Sequence, residues 1–143
     1  MATNIQTGRV AALHPVHAIL LASVLPLVLG ALLSDLAYSS TYEVQWTNFA
    51  SWLIAGAVLF AGLALVWALI DLLRADRRWQ RRPLLYFVLL AATFVVGFIN
   101  ALVHTKDAWA SMPEGLIFSI ILTILALATL WVGFSGWRTG EAR

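Results

Sequence analysis

Residues 49–70 read FASWLIAGAVLFAGLALVWALI, residues 71–82 read DLLRADRRWQRR, and residues 83–104 read PLLYFVLLAATFVVGFINALVH. Two runs free of Asp, Glu, Lys and Arg flank a segment dense in arginine. At a rise of 1.5 Å per residue, roughly 20 apolar residues in a helix cross a hydrocarbon core of about 30 Å. An apolar run, a basic turn and a second apolar run therefore read as a helical hairpin that crosses a membrane twice.

Working outward from this hairpin, a third apolar run begins near Ile19 and a fourth near Leu116. The spacing predicts membrane helices over about 16–37, 48–74, 84–104 and 115–137, in one domain spanning residues 1–143. The composition agrees: the chain is 62% hydrophobic and 11% charged, with a mean hydropathy of +0.87. A soluble domain of this size has no such balance. The expectation is an all-α membrane protein, a four-helix bundle with tiny loops, so any chemistry belongs in or beside the bundle.

Basic loops stay on the cytoplasmic side during insertion. Arg9, Arg74, Arg77, Arg78, Arg81, Arg82, Arg138 and Arg143 fall on one face of the predicted topology, and Lys106 alone on the other. Eight against one places the N-terminus and C-terminus in the cytoplasm and the chain in the inner (plasma) membrane. The first apolar run is long for a signal peptide and lacks a clear small-x-small site after Ser34, so it is expected to remain. The Arg74–Arg82 cluster resembles a patch for nucleic acid or anionic lipid, but topology alone accounts for it and no nucleic-acid partner is expected. The absence of cysteine excludes disulfides, thiolate metal sites and a cysteine nucleophile.

In lipid, helices associate through close packing over small residues and through polar contacts. On the second helix Ala50, Ala57, Ala61, Ala64, Ala68, Asp71 and Ala75 share one side. On the third, Tyr86, Leu90, Thr93, Gly97, Asn100 and His104 form the inward face. The fourth offers Ser119, Thr123, Ala126, Leu130 and Gly133, and the first offers Ser23, Gly30 and Ser34 around Pro26, where a kink is expected. Trp46, Trp52 and Trp109 suit one interfacial belt and Trp79, Trp131 and Trp137 the other, which leaves Trp67 as a lipid-facing or packing residue.

Ionisable groups near a bilayer need a reason. At the cytoplasmic entrance stand His14, Pro15, His17, Asp71 and Arg74. His14 and His17, three apart, are candidate metal ligands with Asp71 as an orienting carboxylate. The simpler reading makes His14-Pro15 a helix start and pairs Asp71 with Arg74. At the opposite end Asp35, Asn100 and His104 come out near one depth, and Asn100 needs a buried partner, for which Asp35 is the natural candidate. These three are candidate cofactor-binding residues around a small polar pocket able to take a quinone head group or an ion; the alternative is a buried contact that sets helix register. Glu114 lies before the fourth helix in a capping position. The two histidine groups stand roughly 30 Å apart along the membrane normal, so a bis-histidine haem joining them within one chain is excluded.

Leu13-His14-Pro15-Val16-His17 opening a first helix, Asp35 closing it, and His104-Thr-Lys-Asp-Ala-Trp-Ala-Ser-Met-Pro-Glu-Gly115 leading into the fourth resemble the bacterial four-helix membrane proteins grouped as unknown-function domain family 2231. The resemblance covers nearly the whole chain. It implies a small inner-membrane protein, sometimes encoded beside periplasmic quinoprotein dehydrogenases, whose opening histidine falls on His14 or His17 and whose outer histidine falls on His104; it implies no catalytic role.

Three functions stand in order. The first is a non-catalytic accessory or anchoring subunit of a membrane energy-converting or redox complex, partnered by the lipid bilayer, by other membrane subunits or further copies of itself, and by a periplasmic redox protein. The second is an electron carrier binding haem or quinone. The third is a small transporter or channel. No catalytic constellation is legible, which favours a non-enzyme.

Overall fold

The computed structural model describes residues 13–74 and 81–135, apart from the side chains of Ala108 and Trp109. The expectations placed on Arg9, Ala75, Arg77, Arg78, Trp79, Trp137, Arg138 and Arg143, and on the Trp109 side chain, lie outside the described residues. Four long helices follow one another: α1 (Pro15–Thr41), α2 (Val44–Arg74), α3 (Arg81–Val103) and α4 (Glu114–Ser135), with a short 3-10 turn at Ala108–Ser111. All four are long and apolar enough to cross a membrane, and no strand occurs among the described residues.

The first two helices run longer than their apolar segments predict. α1 continues through Ser39, Ser40 and Thr41, whose hydroxyls fold back on the carbonyls of Leu36 and Ala37, so their polar groups are satisfied within the helix. It stops at Tyr42, which adopts a left-handed conformation with φ 58° and donates its N–H to the Tyr38 carbonyl. Only Tyr42 and Glu43 separate α1 from α2. At its start, the His14 side chain accepts the Val16 N–H and Pro15 occupies the first turn, the arrangement in which a missing proline donor does no harm. α1 is helical on both sides of Pro26.

The helices form a ring in which α1 packs on α2 and α4, and α3 packs on α2 and α4; α1 and α3 face each other across the diagonal. α2 contributes the flat wall. Ala50, Ala57, Ala61, Ala64 and Ala68 are all buried, as their spacing predicts, whereas Asp71 at the end of that stripe is exposed. Against this wall α1 sets Leu21, Val24 and Val28, α3 sets Leu90, and α4 sets Leu122 and Ala126. The buried face of α1 is therefore His17, Leu21, Val24, Val28, Ala31, Asp35 and Tyr38, joined by Ser34. Ser23 and Gly30 of the expected face are only half-buried. The reason is complementarity: a wall of alanine needs large side chains opposite it, so the small residues of α1 move to the flank.

α3 buries Leu90, Thr93, Gly97, Asn100 and Val103, followed by His104, with Tyr86 half-buried. α4 buries Ser119, Leu122, Thr123, Ala126 and Thr129, and Leu130 and Gly133 of its expected face are half-buried. Midway along the bundle the Thr93 and Thr129 hydroxyls meet at 2.9 Å. Each also lies within bonding distance of the carbonyl four residues back; with one proton apiece, one hydroxyl donates to the other, which donates in turn to its own backbone carbonyl, so the contact is satisfied within apolar surroundings. Outward-facing positions are Leu, Ile, Val, Phe and Trp, with Trp52 and Trp131 the most exposed at 76% and 79%. That surface matches lipid.

Candidate functional site

At the end of the bundle that holds the α1–α2 and α3–α4 connections, three helices bring polar groups into a closed circuit. Asp35 sits two turns before the end of α1, His104 directly follows α3, and Ser119 and Gly115 belong to the first turns of α4. His104 Nε2 lies 2.9 Å from Asp35 Oδ1. The Ser119 hydroxyl donates to Asp35 Oδ2, and the Asn100 amide nitrogen donates to Ser119 Oγ at 2.9 Å. His104 Nδ1 lies 3.0 Å from the Asn100 backbone carbonyl. The chain of bonds thus begins and ends on Asn100.

The direction of each bond follows from which atoms can accept. A carbonyl oxygen only accepts, so Nδ1 of His104 carries a proton. Ser119 gives its own proton to Asp35, so it must accept from Asn100, and this sets the amide orientation with Nδ2 toward Ser119. One proton remains between Nε2 and Asp35 Oδ1. With it the pair has no net charge, whichever partner holds it. That neutrality suits a group with 0% of its side chain exposed on either partner, since an unpaired charge there is strongly disfavoured.

Gly115 makes the circuit possible. A Cβ built on it would stand 2.9 Å from His104 Cε1 and 3.3 Å from Nε2. The imidazole packs against the start of α4 because nothing projects from that position. Beyond the circuit, Lys106 Nζ pairs with Glu114 Oε2 at 2.8 Å on the exposed rim, so Glu114 joins the α3–α4 connection as well as standing in the first turn of α4. Two buried atoms lack a partner here, Asn100 Oδ1 and the Tyr38 hydroxyl.

At the opposite end a second contact crosses the same diagonal. His17 Nε2 and the Tyr86 hydroxyl are 2.7 Å apart, and Gly133 leaves room for Tyr86, whose ring would lie 3.0 Å from a Cβ there. Trp67 of α2 closes the group, with ring centroids 5.0 Å from His14 and 5.9 Å from His17. Trp67 is therefore a packing residue. His17 Nδ1 is buried without a partner.

The two contacts share a register. Asp35 with His104 and His17 with Tyr86 are each 69 positions apart. Along each helix the two members stand 18 residues apart, five turns at 3.6 residues per turn, so they lie on one face. We term them the His104 clasp and the His17 clasp.

Asp35, Asn100 and His104 converge as the sequence predicts, but Asp35 and Asn100 are joined through Ser119 rather than to each other. Ser119 is the member that sequence reasoning placed on the inward face of its helix without assigning to the cluster. The pair His14 and His17 is arranged differently. His14 is exposed and its Nδ1 caps α1, whereas His17 is buried and its Nε2 meets Tyr86. Among the described residues the ion pairs are Asp35–His104 and Lys106–Glu114, so Asp71 stands apart from Arg74, and no group of three or more His, Cys, Asp or Glu gathers.

Neither the curated proteins nor the solved structures contain a match to this chain. A family model described as "Predicted membrane protein (DUF2231)" matches residues 13–140. Helix boundaries, the histidines at both clasps and the loop into α4 all fall inside that match, and the chain belongs to this family of membrane proteins of unknown function.

Proposed function

We propose that the chain is a non-catalytic accessory or anchoring subunit of a larger membrane assembly, an energy-converting or redox complex of the bacterial inner membrane, with its termini in the cytoplasm. The observation that carries this reading is the closed circuit. Asp35, His104, Ser119 and the Asn100 amide nitrogen and backbone carbonyl direct their polar groups at one another, with Asn100 Oδ1 left over, and Gly115 lets the imidazole pack against α4. A cofactor site presents such groups to a cavity.

The middle of the bundle supports the same view over a channel. The small void bounded by Val24, Val28, Ala57, Thr93, Gly97 and Leu122 has no room for a water molecule. The large lipid-facing surface suits a protein that anchors and fills space beside partners.

Purification of the tagged chain from its native membranes in mild detergent tests the reading, with a visible spectrum taken on the product. The expected result is a reproducible partner in fixed proportion and a spectrum without haem or flavin bands. A monomer that carries a Soret band lost on His104→Ala would overturn it.

A further inference from the structure

Within the His104 clasp, one proton does the joining. His104 Nδ1 is committed to the Asn100 carbonyl, so among the described residues the direct hydrogen bond between α3 and α1 at this end is the one made by the proton between Nε2 and Asp35 Oδ1. Remove it and a ring-nitrogen lone pair faces a carboxylate oxygen at hydrogen-bond distance with nothing between them. Asp35 then carries a buried charge supported by Ser119 alone, which is strongly unfavourable in so dry a place.

A second arrangement stands ready on α1. Tyr38 is three residues beyond Asp35 on the same face, 2% exposed, and its hydroxyl has no partner. Helical side chains lean toward the helix N-terminus, which brings the Tyr38 hydroxyl back toward the level of Asp35. We propose that the His104 clasp is a proton-operated latch: with its proton, α1 is tied to α3 and α4, and when the proton leaves to solvent, Asp35 turns from His104 to the Tyr38 hydroxyl and this end of the bundle loosens.

The neighbours leave the control to this pair. From the α3 side the other charged groups are Lys106 and Asp107, and from α4 it is Glu114; all are exposed, and Lys106 and Glu114 pair with each other. α2 begins Val-Gln-Trp-Thr-Asn-Phe with no charged group, after the exposed Glu43. α1 adds Tyr38 and Tyr42. Burial by itself would lower the proton affinity of His104, but the bond to Asp35, the charge of Asp35 and the Asn100 carbonyl outweigh it and raise the pKa above the usual imidazole value. A raised value means that the latch is fully closed below about pH 6.5 and opens as pH climbs through the raised value.

Pulsed electron-spin distance measurement on the full chain in lipid nanodiscs reads the latch directly. The chain has no cysteine, so nitroxides go on Leu36→Cys of α1 and Ile117→Cys of α4, both lipid-facing near the latch. A control pair, Ile19→Cys and Trp131→Cys, reports the other end. Between about pH 5 and about pH 10, the first pair is expected to pass from one narrow distance to a longer or broader one in a single-proton transition. The control pair stays constant, and Lys106→Gln leaves the transition in place. His104→Gln abolishes it. Tyr38→Phe keeps the clasp intact, removes the waiting donor and moves the midpoint upward, which keeps the proposal testable should His104→Gln fail to assemble. A pH-independent first pair, the same transition in His104→Gln, or an unmoved midpoint in Tyr38→Phe would each overturn the latch.

Discussion

Gly115 shows how much one absent methyl group decides. The imidazole it accommodates is held at both nitrogens, so it has no freedom to give way, and a Cβ at 2.9 Å forces the ring off Asp35 or displaces the start of α4. Gly115→Ala is expected to lower the stability of the detergent-solubilised protein by roughly 1–3 kcal/mol, as overpacking does in tight interiors. Gly56→Ala is the comparison, since its Cβ would meet only the flexible end of Leu27 at 3.4 Å; its melting temperature should stay near that of the parent. Asn100 follows the same logic. Asn100→Leu removes the donor to Ser119 and inserts a larger group at a site with 0% exposure, for an expected loss of about 2 kcal/mol. His14→Ala removes an exposed cap bond of 3.3 Å and should lose about 0.5 kcal/mol, at the low end for caps. Equal melting temperatures for these two variants would count against the circuit. The sequence makes Asp35, Asn100 and His104 legible as a cluster because helical spacing puts them near one depth and a buried amide demands a partner. Ser119 is not legible in the same way. A serine in a membrane helix reads equally as a small packing residue, a hydroxyl bonded to its own backbone or a partner for a neighbour, and only the rotation of α4 selects the last.

Among the elements, α2 was the most legible and α1 the least. Alanine at intervals of three, four and seven identifies the α2 wall without any knowledge of its neighbours. Between His17 and Ser34 the buried face of α1 consists of Leu21, Val24, Val28 and Ala31, which composition does not separate from a lipid-facing stripe of the same helix. Its identity depends on the α2 wall opposite. Helix ends are less legible for a related reason, since Ser39, Ser40 and Thr41 look like a loop in the sequence, whereas their hydroxyls bond within the helix. The wall has a testable consequence. Ala61→Leu adds bulk at a position 2% exposed, beside core residues with no space to yield, and should destabilise the bundle by roughly 1–3 kcal/mol. Leu63→Ala, two residues on and 48% exposed, should change stability by less than about 0.5 kcal/mol. Unfolding in a mixed-micelle titration separates the two, and similar losses would mean that α2 faces the core with its leucines.

For the molecule as a whole, the two clasps define a common register between α1 and α3. Positions 17, 21, 24, 28, 31 and 35 on α1 stand 69 residues from positions 86, 90, 93, 97, 100 and 104 on α3, and nearly all of these are buried. Parallel helices across the diagonal of a ring, polar at both ends and apolar between, allow one alignment and penalise a slip by a turn. The orientation of this unit in the membrane is our proposal from the arginines, and impermeant labelling of single cysteines tests it. Glu43→Cys and Asp107→Cys, both exposed in the structure, should label in intact cells, and Arg78→Cys only after lysis; the reverse pattern would invert the assignment. The claim on which the rest depends is that Asp35 and His104 answer each other and not a ligand. A double-mutant cycle measures this directly, with Asp35→Asn, His104→Gln and the combined variant unfolded in the same detergent. The clasp predicts a coupling of about 1 kcal/mol or more between the two positions, within the range for residues in one buried network, and strictly additive losses would contradict it.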